Sequence, residues 1–209
     1  MFNACETNTT IKQQKMRNEL ILVRHGQSVY NLENRFTGCR DVDLSARGVE
    51  EAKKVGERLK YVTIDRVYTS VLLRAKHTYQ IISDSAGFKD ISVVESDALN
   101  ERRYGDLEGL NKSDTVQKFG ETQVDIWRRS FDTPPPGGES LKNTYDRVIP
   151  YFEKYIKKDL DKGLAVLIVA HGNSLRALIM YLEKLSPKEI VNREIATGTP
   201  ITYRWPLNL

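Results

Sequence analysis

The sequence predicts an α/β fold, a mainly parallel central sheet with helices on both faces, and three observations lead there. Two apolar runs, Leu20–Val23 and Leu164–Ala170, have the length and character of strands buried on both faces. Between them, apolar residues recur at helical rather than alternating spacing, so strands and helices take turns along the chain, the pattern of a parallel sheet with covered faces. Each apolar run also ends in the same way, in Arg24-His25-Gly26 and in His171-Gly172-Asn173. In open α/β sheets the carboxyl ends of the strands are where ligands bind. The chain has only three histidines, and two stand where a buried strand hands over to a glycine. If those strands are neighbours, two imidazoles meet in one pocket.

The elements follow in order. Leu20–Val23 is the first strand. Ser45 is an N-cap candidate for a helix whose apolar face carries Ala52, Val55, Gly56 and Leu59. A short strand is expected at Val67–Ser70, and the helix after it carries Arg74 in its first turn, pointing at the same rim. Ile91–Val94 is a third strand leading into a loop from Leu99 to Gly105. Thr133–Gly138, with three prolines and two glycines, is a loop within the domain. Leu141, Tyr145, Val148, Phe152 and Ile156 mark a long amphipathic helix that Pro150 should kink or interrupt. Leu164–Ala170 is the last of the expected strands. His77 sits in the apolar–polar pattern of a helix and is read as structural.

Composition narrows the class of function. A chain of 209 residues, 40% hydrophobic, can bury one sizeable core. Residues 18–209 are expected to form a single domain and the polar residues 1–17 a disordered extension without the apolar core of a secretory signal. The net charge of +4 is mild and the basic residues alternate with acids, which argues against nucleic acid and membrane partners but leaves room for a local anion pocket. No apolar run approaches the roughly 18 residues of a membrane span. Two cysteines are too few for a disulfide scaffold, so a cytoplasmic location is expected.

The residues at the rim have a chemical direction. Imidazole is nucleophilic near neutral pH and can attack phosphorus, Arg24 can grip phosphoryl oxygens with its donor fork, and Gly26 lets backbone approach closely. Further blocks accompany them: Asn34-Arg-Phe-Thr-Gly38, Asp43-Leu-Ser45, Tyr68-Thr-Ser70 with Arg74-Ala75, Leu99-Asn-Glu-Arg-Arg-Tyr-Gly105, Gly109-Leu-Asn-Lys112, Trp127-Arg-Arg129 and Ala170-His-Gly-Asn-Ser-Leu-Arg-Ala177. Together they make the chain resemble the histidine phosphatase superfamily from about Leu20 to Tyr203. An Arg-His-Gly alone would be weak evidence; the Leu-Asn-Glu-Arg, Gly-Leu-Asn-Lys and Trp-Arg-Arg set resembles the cofactor-dependent phosphoglycerate mutases.

That resemblance implies a glycolytic and gluconeogenic isomerase interconverting 3- and 2-phosphoglycerate, with His25 phosphorylated and 2,3-bisphosphoglycerate as the primer. Arg24, Arg74 and His171 are then assigned to the transferring phosphoryl group, with Asn31 as a further donor and Glu101 exchanging a proton with the substrate hydroxyl. Arg102, Tyr104, Lys112, Arg128, Arg129 and Asn173 are assigned to the distal anionic end, with Ser28, Thr37, Gly38 and Gly172 lining the pocket. Consecutive arginines do not share one face of a regular helix, so Arg128 and Arg129 can reach one ligand only from a helix end or a turn. No metal is implied, since His25 and His171 lack the companion spacing of a zinc site and the cations supply the charge. The expected partners are small phosphoglycerates and a second copy of the chain, in a homodimer. Two alternatives remain open: a phosphatase of small phosphate esters, and a non-catalytic phospho-ligand-binding protein, against which intact His25, Glu101 and His171 argue.

Overall fold

The computed structural model describes residues 18–207, so the extension expected at 1–17 lies outside the described residues. Among them, β1 (Glu19–Arg24), β2 (Arg66–Thr69), β3 (Ser92–Glu95), β4 (Val166–Ala170) and β5 (Ile201–Arg204) form one sheet in the order β3-β2-β4-β1-β5. The first four are parallel to their neighbours and β5 runs antiparallel to β1. The helices are α1 (Val29–Leu32), α2 (Ala46–Leu59), α3 (Leu73–Ala86), α4 (Lys112–Phe119), α5 (Glu121–Arg129), α6 (Leu141–Tyr151), α7 (Lys157–Asp161), α8 (Gly172–Leu182) and α9 (Pro187–Val191).

Side chains alternate across a strand, and that alternation splits the core in two. Ile21, Val23, Val67, Leu167 and Val169 face Ala52, Val55 and Leu59 of α2 and Ile82 of α3. Leu20, Leu22, Tyr68, Val166 and Ile168 face Val148 and Ile149 of α6 and Leu175, Leu178, Ile179 and Leu182 of α8. Full burial of one such aliphatic side chain is worth about 1.5–3 kcal/mol, so α8 is held firmly by its own four. A smaller cluster of Phe36, Leu107, Val124 and Trp127 fixes α5 and the segment around residue 36 above the carboxyl ends of the strands.

Differences from the sequence expectation have local causes. β2 ends at Thr69 rather than Ser70, whose side chain instead bonds His171 and the backbone of Leu72. β3 is shifted to Ser92–Glu95, and as a mostly exposed edge strand it carries little apolar pattern to mark its ends. The interruption expected at Pro150 is present, since α6 ends one residue later at Tyr151; the chain then passes through a π turn at Phe152–Ile156 and continues into α7, so all five apolar positions of the expected helix remain inward or half-buried. β5 was not anticipated, because its four residues alternate only between half-buried and exposed.

Candidate active site

The register of β1 against β4 aligns Arg24 with Ala170, which brings the next residues, His25 and His171, to the same height on adjacent strands. Their ring centroids are 4.9 Å apart and both rings are buried. The backbone turn after β1 is tight: a Cβ on Gly26 would lie 2.3 Å from the Gly48 carbonyl oxygen, so only glycine lets α2 approach here. Nδ1 of His25 lies 2.7 Å from the Gly26 carbonyl. A carbonyl can only accept, so a neutral His25 carries its proton on Nδ1 and leaves the Nε2 lone pair free. Burial, then the Arg74 and Arg24 guanidiniums, hold its pKa well below the ordinary histidine value. His25 is thus an uncharged nucleophile in a cationic setting.

Arg24 and Gly172, the chain neighbours of the two histidines, line a cavity of about 220 Å³, smaller than the roughly 300–1,000 Å³ of drug-sized sites. Arg24, Arg35, Lys112, Arg128, Arg129 and Arg176 line it, against the carboxylates Glu101 and Glu194. That imbalance selects a small polyanion. Arg128 and Arg129 are the last two residues of α5, the helix end that lets neighbours face one space. Burial, with Arg128 and Arg24 nearby, lowers the pKa of Lys112. For Tyr104, the Arg102 guanidinium, 4.5 Å from the ring centroid, outweighs the upward push of burial and holds the phenol below its ordinary value.

Glu101 is positioned from several sides. Its Oε1 accepts from the backbone N–H of Arg102 at 2.8 Å and of Asn173 at 3.0 Å, in the first turn of α8. A methyl group on Gly172 would sit 3.6 Å from both Glu101 Oε2 and Arg24 Cζ, so carboxylate and guanidinium converge on the N-terminus of α8, where backbone dipoles favour an anion. From α6, Arg147 donates to the carbonyls of Ala98, Asn100 and Glu101 at 2.8, 3.0 and 3.1 Å while paired with Glu139.

Of the residues singled out in the sequence, Arg24, Asn31, Thr37, Gly38, Glu101, Tyr104, Lys112, Arg128, Arg129, Gly172 and Asn173 line the cavity. His25, His171 and Arg74 are buried and outside that lining, next in the chain or by hydrogen bond to Arg24, Gly172 and Gly38, which belong to it; Arg74 donates to the carbonyls of Gly38 and Arg40, fixing the Thr37–Gly38 turn. Two expectations change. Ser28 does not line the pocket: it is fully buried and its Oγ caps α1 by accepting from Asn31 N–H. Arg102 lies behind the wall rather than in it, with Nη2 donating to the Tyr104 hydroxyl and the Arg128 carbonyl, so it orders two lining residues. His77 pairs with Asp43 at 2.7 Å, away from the cavity lining, in line with a structural role. Arg35 and Arg176 were missed although they sit inside the Asn34–Gly38 and Ala170–Ala177 blocks; a cation within a matched block was the available signal. Nothing in the sequence marked Glu194.

One property of the site tests its fit to a bisphosphorylated ligand. Among the described residues, seven buried side-chain polar atoms have no hydrogen-bond partner, and all but Arg66 Nε belong to residues of this site: Arg24 Nε, Thr37 Oγ1, Arg74 Nε, Arg102 Nε and Nη1, and His171 Nδ1. Buried donors are normally satisfied; Arg102 stands behind the wall, but the orphaned Nε of Arg24 and of Arg74, with Thr37 Oγ1 and His171 Nδ1, leaves unspent donors that fit phosphoryl oxygens.

The family model described as histidine phosphatase superfamily (branch 1) matches residues 20–205. The chain belongs to the histidine phosphatase superfamily. Among its curated relatives in that superfamily, the 2,3-bisphosphoglycerate-dependent phosphoglycerate mutase of Parvibaculum lavamentivorans is 55% identical, over 90% of either chain. That of Bradyrhizobium diazoefficiens is 56% identical over 88% of this chain and 90% of its own. Two solved structures are more distant. A mycobacterial glucosyl-3-phosphoglycerate phosphatase is 25% identical with a TM-score of 0.78, covering 88% of this chain and 90% of that one. The α-ribazole phosphatase of Shigella flexneri is also 25% identical, with a TM-score of 0.76, covering 88% of this chain and 89% of that one. They share this fold.

Proposed function

We propose that the chain is a 2,3-bisphosphoglycerate-dependent phosphoglycerate mutase, interconverting 3- and 2-phosphoglycerate through a phosphohistidine at His25. The observation that carries this reading beyond the superfamily is the second set of cations. Lys112, Arg128 and Arg129 line the same cavity as Arg24, so a substrate with an anion at each end can be held while its phosphoryl position changes. A phosphatase needs only one grip and a water. The curated relatives above 50% identity carry the mutase name, whereas the phosphatases among the solved neighbours stand at about a quarter identity.

When bound, 2,3-bisphosphoglycerate supplies the phosphoryl group that primes His25. Nε2 of the neutral ring forms the N–P bond as the P–O bond of the donor breaks. Nδ1–H stays on the Gly26 carbonyl, a contact that strengthens as the ring gains positive charge. The leaving oxygen takes a proton from Glu101. In the reverse sense the acceptor hydroxyl returns its proton to the Glu101 carboxylate as its oxygen attacks phosphorus and the N–P bond breaks. Negative charge spread over the three equatorial oxygens is met by Arg24, Arg74 and His171, and this electrostatic term supplies most of the catalysis. A cytosolic location and a homodimer complete the proposal; among the described residues no helix is long and apolar enough to cross a membrane.

His25→Ala should abolish acid-labile phosphate incorporation from 2,3-bisphosphoglycerate while the far-ultraviolet spectrum stays native. Normal labelling of the folded variant would remove this mechanism.

A further inference from the structure

Ser70 follows β2, is fully buried, and has no place in the chemistry just described. Its Oγ lies 2.7 Å from His171 Nε2 and accepts from the Leu72 backbone N–H at 3.2 Å. A serine hydroxyl has one proton to donate. Leu72 N–H is itself a donor, so within these contacts the acceptor for that proton is the Nε2 lone pair of His171. A neutral His171 must then carry its own proton on Nδ1, and Nδ1 is the ring nitrogen that is buried without a partner in the protein.

We propose that Ser70 is a positioning residue that locks His171 as the neutral Nδ1–H tautomer, so that the second imidazole meets the transferring phosphoryl group as an uncharged hydrogen-bond donor. The opposite tautomer would leave the buried Ser70 proton without an acceptor and would turn a bare lone pair towards the phosphoryl oxygens. A doubly protonated ring would add a cation to an already cationic place: Arg74 faces it from α3, Arg24 and His25 from the end of β1, and Arg147 from α6. Burial, with these groups behind it, keeps the His171 pKa well below the ordinary value. The assignment changes what the sequence alone suggested, because His171 then contributes direction rather than charge and the charge comes from the arginines.

The proposal rests on the reading that a phosphoryl group is transferred at His25, but its main test needs no substrate, so each can fail without the other. Two-bond 1H–15N correlation spectra of the 15N-histidine-labelled full chain near neutral pH report tautomer directly, and with three histidines the His77→Gln and His171→Gln variants assign every ring. His171 should read as neutral with its proton on Nδ1 in the wild-type protein and in Ser70→Thr. In folded Ser70→Ala the signature should move towards the other tautomer or towards exchange between the two. His25 phosphorylation should slow by roughly tenfold in Ser70→Ala with little change in KM, and Ser70→Thr should recover most of it. An Nε2–H or doubly protonated His171 in the wild-type protein overturns the proposal, as does an unchanged His171 signature in folded Ser70→Ala.

Discussion

At the scale of the residue, a histidine that attacks phosphorus has to be unprotonated when it does so. His25 is held neutral by burial and by Arg74 and Arg24, and its proton is parked on the side of the ring away from the nucleophilic nitrogen. Because the pKa is lowered, the reactive form persists as pH falls through about 6.5, where an ordinary imidazole would be half protonated. Single-turnover phosphorylation of His25 should therefore stay flat across that value and decline only at lower pH. A half-point at the ordinary value would mean that the ring titrates freely. The same guanidiniums take the role that a divalent cation plays in many phosphoryl-transfer sites, so turnover is expected to survive exhaustive chelation. Loss of activity with EDTA that zinc or magnesium restores would contradict this.

At the scale of the element, what matters is where helices begin and end. Arg128 and Arg129 share the cavity because α5 stops with them, and Glu101 is held because α8 starts with Gly172 and α6 sends Arg147 across to the loop carrying it. If the arginine pair grips the distal anion, Arg128→Ala and Arg129→Ala should each weaken 3-phosphoglycerate affinity roughly tenfold or more, the worth of a charge-assisted hydrogen bond. Phosphorylation of His25 by a small donor lacking a distal anion should change far less. Equal losses in both reactions would place the pair at the phosphoryl centre or in the fold. Arg147→Ala should lower kcat more than it raises KM, because Glu101 moves while the anion grip stays, and added guanidinium should restore part of the loss. An unchanged kcat would reduce Arg147 to a loop fastener.

How much of this was legible beforehand follows the same division. The two buried strands and the histidines behind them could be read because a fully apolar run and a strand-end motif are both local. The meeting of His25 with His171 was conditional on strand order, which only the sheet could decide. Ser28 and Arg102 were matched as residue types in a motif, but burial is a property of packing, and packing put one under a helix cap and the other behind a wall. Ser70 stood inside the matched Tyr68–Ser70 block without a role attached to it, and Arg147 carried no signal at all, since the effect of each runs through a neighbour distant in sequence.

At the scale of the molecule, two buried neutral imidazoles tie stability to pH. Both folded-state pKa values are lowered, so the unfolded chain binds more protons than the folded one once pH falls below about 6.5, and stability must drop on acidification. The slope is up to about 1.4 kcal/mol per pH unit for each ring. Burial pushes the carboxyls of Asp43 and Asp159 up, but hydrogen bonds from His77 and Tyr68 outweigh it, so their contribution is lost only on further acidification, below the ordinary carboxylate range. Urea denaturation between about pH 7 and about pH 5 should show the loss, and the His25→Gln, His171→Gln double variant should flatten it. A flat wild-type profile would show that the rings protonate within the folded state.

The central claim is that a phosphoryl group leaves His25 for another oxygen of glycerate rather than for water. Its most direct measurement is the product formed from 3-phosphoglycerate with and without catalytic 2,3-bisphosphoglycerate, followed by phosphorus magnetic resonance. Accumulation of 2-phosphoglycerate, dependent on the primer and far ahead of inorganic phosphate, is the expected result. Stoichiometric release of inorganic phosphate with no 2-phosphoglycerate would contradict it and make this site a phosphatase.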